Sequence, residues 1–193
     1  MRVPLLAPAY VGGVQLIALG TRRLLGARAR QDLLRACSTN VDNLAAGRCG
    51  TLATSALLVE EPMELPYALL LLAVLGHAEY AYGAWRAAGV FLLGHVGASL
   101  LVYGALRAGR PSPAIRSAVD VGPSYGFYAV LGALTSTLPP GLPRRCARIA
   151  LLALVAKPLL RPGRTFTDAG HATALGLGLG VATAVDYRSV RNR

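Results

Sequence analysis

The sequence predicts an all-α, multi-pass membrane protein: a bundle of six helices in one domain, residues 1–193. Two observations predict it. Hydrophobic residues make up 54% of the chain, charged residues only 15%, and mean hydropathy is +0.48. Charged residues are about a quarter of an ordinary soluble domain. The apolar residues also fall in long runs, parted by connections rich in Arg, Gly and Pro, which is the pattern of helices that cross lipid.

The net charge of +11 comes from nineteen Arg and one Lys, Lys157. Such a charge raises nucleic-acid binding as a class. The arginines sit between apolar runs and form no stripe with aromatics, so they read as headgroup and loop anchors and exclude that partner. Cys37, Cys49 and Cys146 have no metal-ligand spacing. Cys37 and Cys49 share one loop, where they form a pair or stay free thiols.

Pro4 to Gly20 is the first run. It is a first transmembrane helix or, with Arg2 ahead of it, a signal peptide; the lack of a small-x-small cleavage site favours the helix. Residues 21–64 form the longest and most polar connection. Thr51 to Val59 within it is too short to span and is expected at the interface or over the bundle. Leu65 to Tyr82 is the second helix, and its end carries interfacial aromatics. Ala87 to Leu106 is the third, with His95 at its middle. Pro123 to Leu138 is the fourth, ended by Pro139-Pro-Gly-Leu-Pro143. Cys146 to Leu160 is the fifth. Asp168 to Asp186 is the sixth, where Gly176 and Gly180 make a GxxxG that suits close helix packing.

Charge does not set the orientation. With the N-terminus inside, the inner segments hold Arg2, Arg86, Arg144, Arg145, Arg148 and the tail residues Arg188, Arg191 and Arg193. The outer segments hold eleven arginines, six of them in the long first loop.

The chemistry concentrates at Asp120-Val-Gly-Pro-Ser-Tyr-Gly-Phe-Tyr128. Pro123 fits the first turn of a helix, where its missing N–H costs nothing, and Gly122 fits the N-cap. Ser124 then lies in the first turn, among unpaired N–H groups and the positive end of the helix dipole. That setting suits a nucleophilic serine whose product is an oxyanion. It equally fits a serine that only caps backbone. The fourth helix is about 24 Å long and the hydrocarbon about 30 Å thick, so Ser124 would sit below the membrane surface, at the floor of a wet pit.

Helices four and six run in the same direction. Ser124 near the start of one and His171 near the start of the other therefore fall at one face and similar depth. A histidine inside a membrane is a functional candidate, and a Ser–His pair is the minimum for acyl transfer. Asp120 and Asp168 lie one turn before the serine and the histidine as rim caps, and no third acid is well placed. His77, His95 and His171 lack acidic or Cys partners at ligand spacing, so no metal is expected. Gly122-x-Ser124-x-Gly126 matches a nucleophile elbow, but the strand that motif needs is missing. Small-solute transport lacks the paired broken helices it requires.

These residues resemble the rhomboid family of intramembrane serine proteases, over helices two to six. Glu79-x-x-x-Gly83 with Arg86 is similar to the family's Glu/Arg/Gly motif. Gly122-Pro-Ser124 is similar to its Gly-x-Ser-Gly. Tyr128 is similar to the aromatic that packs on the catalytic histidine. Gly170-His171 with Gly178 is similar to its sixth-helix histidine and small-residue face. The resemblance implies a six-helix rhomboid-like bundle in a bacterial cell membrane, acting on transmembrane substrates through Ser124 and His171 without a cofactor. Some relatives are inactive and bind membrane-protein clients instead. Three positions depart from the family: Tyr125 follows the serine in place of Gly, and Met63 and Tyr67 stand where a His and an Asn supply oxyanion donors. The Tyr67 hydroxyl retains one donor.

Overall fold

The computed structural model describes residues 4–191, with side chains as far as Tyr187. Arg2 and Arg193 lie outside the described residues, as do the side chains of Arg188 and Arg191. The described residues form helices and no strand. In order they are α1 (Leu6–Leu24), α2 (Ala27–Cys37), α3 (Val41–Ala45), α4 (Thr51–Thr54), α5 (Leu65–Tyr82), α6 (Ala84–Ala108), α7 (Pro113–Arg116), α8 (Ser124–Leu134), α9 (Leu142–Leu159) and α10 (Phe166–Arg191). Short 3₁₀ turns follow α4 at Ser55–Leu57 and α8 at Thr135–Thr137.

Local chemistry sets the boundaries. Pro66 and Pro143 stand in the first turns of α5 and α9, where no N–H is required. Gly83 joins α5 to α6 at φ +84°, a conformation only Gly adopts without strain. The serine helix begins at Ser124, one residue after the expected start, because Pro123 itself is the N-cap.

Two helices, α5 (18 residues) and α6 (25 residues), are long and apolar enough to cross a membrane by length and composition. The others fall short for visible reasons. With 11 residues, α8 is about 16 Å long, and α9 carries Arg144, Arg145, Arg148 and Lys157.

At the centre, α8 is packed between α6 and α10, and small residues set the spacing. A Cβ on Gly94 of α6 would overlap Ala129 of α8. A Cβ on Gly132 of α8 would come 2.7 Å from the Leu175 carbonyl oxygen of α10, and one on Gly178 would overlap the Ala129 carbonyl. The expected GxxxG is not the packing face. Gly176 and Gly180 meet nothing within 4 Å, and the close approach is made by Gly170, Ala174 and Gly178. Those three recur every four residues, on the face turned to α8.

The long connection covers the bundle with a buried polar chain. Thr39 Oγ1 donates to the Thr51 carbonyl at 2.9 Å and also lies 2.9 Å from Ser55 Oγ, which lies 2.9 Å from His95 Nε2. Thr39 has one proton, so Ser55 donates to it and His95 donates to Ser55. That order places a proton on His95 Nε2, in a core histidine only 3% exposed. At the far end of the bundle, Glu79 accepts hydrogen bonds from the amides of Leu5, Leu6 and Ala7 at 2.9–3.1 Å. It thereby satisfies the otherwise orphaned N–H groups at the start of α1. Cys37, Cys49 and Cys146 are free thiols.

Candidate active site

Three contacts hold the backbone ahead of Ser124. The Asp120 amide donates to Ser38 Oγ at 2.7 Å. The Thr39 amide donates to the Asp120 carbonyl at 3.2 Å, and the Gly122 amide to the Ser55 carbonyl at 2.8 Å. Gly122 has φ +126°, so the sharp turn into α8 needs Gly there. Pro123 then sets the direction of the first helical turn.

Ser124 Oγ lies 3.0 Å from His171 Nε2, across 47 residues of sequence. Both residues are half-buried. The Tyr128 ring packs on the imidazole at a centroid distance of 4.6 Å and 34°. Tyr125 meets it edge-on, at 5.7 Å and 80°. Neither tyrosine separates the pair.

No carboxylate contacts the imidazole among the described residues. Asp168, one turn before it, closes a reciprocal cap with Thr165. Its Oδ2 accepts from the Thr165 amide at 2.7 Å, and its own amide donates to Thr165 Oγ1 at 3.3 Å. Asp120 instead accepts hydrogen bonds from the Tyr103 and Tyr125 hydroxyls. Burial pushes the Asp120 carboxyl up from its ordinary value, against the pull of those two donors.

The helix start leaves polar donors beside the serine. The amides of Ser124, Tyr125 and Gly126 have no backbone acceptor among the described residues, as the first turn of a helix requires. The Gly122 amide is already engaged by Ser55. The Tyr67 hydroxyl is buried without a partner among the described residues, in the same apolar cluster as Tyr128 and Val59. Met63, which precedes it by four residues, is held by its backbone: Gln15 donates to its carbonyl and accepts from its amide, both at 2.8 Å.

The motif residues distant from the serine have separate places. Glu79 and Gly83 end α5 at the opposite face, and Arg86 is exposed at the start of α6. Gly178 packs against Ala129, two turns beyond His171. The described residues bring together no group of three His, Cys, Asp or Glu side chains. Sequence reasoning missed Gln15, Ser55 and the partners of Asp120. The one signal for Gln15 was a lone amide inside an apolar run.

The family model described as rhomboid-like protein matches residues 9–190. No curated protein and no solved structure gives a significant match. The family match spans nearly the whole chain and includes the serine, the histidine and the helices that carry them, and the chain belongs to the rhomboid-like protein family.

Proposed function

We propose that the protein is a six-helix integral membrane protein of a bacterial cell membrane, and that it hydrolyses peptide bonds in or near transmembrane segments. The carrying observation is the 3.0 Å contact between Ser124 Oγ and His171 Nε2. That is hydrogen-bond reach for a nucleophile and its base. The lipid bilayer and transmembrane substrates are the partners, and no cofactor takes part.

In this reading His171 Nε2 accepts the Ser124 proton as Oγ bonds to the scissile carbonyl carbon. The carbonyl oxygen becomes an oxyanion near the free amides of Ser124, Tyr125 and Gly126. Collapse breaks the C–N bond, and His171 returns its proton to the departing amine. Water then attacks the acyl-serine, giving a proton to His171; the bond from the acyl carbon to Oγ breaks, His171 returns that proton to Ser124 Oγ, and the acid product leaves. Tyr128 stacks on the imidazole and keeps it facing the serine. The Tyr67 hydroxyl adds a side-chain donor, and Gly122 provides the turn that presents Ser124.

A second reading is a non-catalytic rhomboid-like protein that binds membrane-protein clients. Met63 favours it, because a thioether replaces a hydrogen-bond donor at the oxyanion position. One lost donor costs roughly 10²–10³ in rate.

A fluorophosphonate probe separates the two. The protease reading expects one adduct by intact mass, mapped to Ser124 and absent in Ser124→Ala. A folded wild-type protein that takes no adduct supports the client-binding reading.

A further inference from the structure

Tyr125 is the residue least expected beside this serine. It is 2% exposed and points inward, against Ala98 of α6 and Ala174 of α10. Its ring lies so close to the α10 backbone that a Cβ on Gly170 would overlap it. The next residue is His171, which it meets edge-on at 5.7 Å. Tyr128 covers the imidazole from another side.

The Tyr125 hydroxyl is also fixed. It donates to Asp120 Oδ2 at 3.0 Å, and the Tyr103 hydroxyl donates to the same oxygen; the Tyr103 and Thr167 hydroxyls also lie against the Tyr125 hydroxyl. Asp120 is pinned in turn through its amide to Ser38 and its carbonyl to Thr39. An unbroken set of contacts thus runs from the 38–39 loop through Asp120 and Tyr125 to His171. Among the described residues no carboxylate hydrogen-bonds to the imidazole; Asp168 acts on it only through space, its Oδ2 being held by Thr165. Edge contacts with an aromatic ring are directional, and a ring held at both ends constrains the histidine beside it.

We infer that Tyr125, anchored by Asp120, is a positioning residue for His171, in place of the acid that orients the histidine in a triad. The anchor works by hydrogen bonding, since Asp120 does not touch the imidazole. Its consequence for the reaction rests on the function proposed above; its consequence for the histidine does not.

The test uses full-length protein in detergent micelles with ¹⁵N-labelled histidine. The chain has three histidines, and His77 serves as the internal reference. Wild type is expected to show one sharp set of His171 ring signals. Tyr125→Phe, which keeps the ring and loses the anchor, is expected to split or broaden them, as is Asp120→Ala. Asp120→Asn retains an acceptor and is expected to restore the wild-type signals. Tyr82→Phe, which loses a hydrogen bond to the Ala133 carbonyl of α8 without touching Tyr125, Asp120 or His171, is expected to leave them unchanged. Fluorophosphonate labelling of Ser124 should slow about tenfold in Tyr125→Phe and Asp120→Ala, because a displacement of about 1 Å costs on the order of 100-fold and a shift of roughly half that is expected with the ring still in place. The pH of half-maximal labelling should not move. Unchanged His171 signals in both Tyr125→Phe and Asp120→Ala overturn the inference. Equal disturbance by Tyr82→Phe also overturns it, since general loosening would then be the cause. Disturbed signals in a protein whose wild type takes no label support the positioning role and remove the proposed reaction.

Discussion

Adding one methyl group at Gly178 should be far more costly than adding it at Gly176, two residues away on the same helix. At Gly178 a Cβ would lie 2.7 Å from the Ala129 carbonyl carbon and 2.9 Å from its Cα, and would overlap the carbonyl oxygen. Ordinary contact begins near 3.4 Å, so α8 and α10 must part by roughly 1 Å. Overpacking of this kind costs about 1–3 kcal/mol, less a helix-propensity gain of about 0.5–1 kcal/mol for Gly→Ala. The net, about 1–2 kcal/mol, lowers the midpoint of thermal unfolding by roughly 5 °C in a chain of this size. At Gly176 nothing lies within 4 Å, so only the propensity gain remains and the midpoint should hold or rise. Because α8 carries Ser124 and α10 carries His171, Gly178→Ala should also stretch their 3.0 Å contact and slow fluorophosphonate labelling. Thermal scans in one detergent compare the two variants directly. Equal midpoints for Gly178→Ala and Gly176→Ala would refute the packing argument.

Three other outcomes follow from single contacts. Glu79→Ala removes the acceptor for three amides at the start of α1 and should cost about 1–2 kcal/mol, in the range of a lost N-cap, read as a lower unfolding midpoint. Tyr67→Phe deletes a buried hydroxyl without a partner, so stability should hold or rise by about 1 kcal/mol, while labelling of Ser124 slows on the order of 100-fold if that hydroxyl meets the oxyanion. Asp120 gives a pH dependence of fixed sign. Its folded value is raised above the ordinary 3.8, so its contribution to stability is complete below that value and is lost as pH rises through the folded one. Midpoints across pH should therefore fall more in wild type than in Asp120→Asn, and parallel curves would contradict this.

What the sequence showed and hid follows from the range of the interactions. The start of α8 was legible to within one residue because its causes are local: a glycine for the turn, then a proline, which caps the helix, and a serine at its first position. The nearness of His171 followed from helix count and direction alone. The packing face of α10 was not legible, since Gly176-x-x-x-Gly180 and Gly170-x-x-x-Ala174-x-x-x-Gly178 are equally small, and only the position of Ala129 selects between them. Ser55 was hidden for the same reason. It sits in a polar loop like several other serines, yet its carbonyl holds Gly122 and its hydroxyl meets His95, contacts that span 67 and 40 residues. Tyr125 read as a departure from the family pattern, because its anchor at Asp120 depends on the side-chain direction rather than on spacing.

The central claim is that His171 activates Ser124. The rate constant for fluorophosphonate labelling of Ser124, measured in wild type and in His171→Ala, tests it most directly. Loss of the general base should lower that constant by about 10²–10⁴, with the unfolding midpoint little changed. A constant in His171→Ala equal to that of wild type would contradict the claim, leaving a serine that caps a helix beside a histidine that packs on a tyrosine.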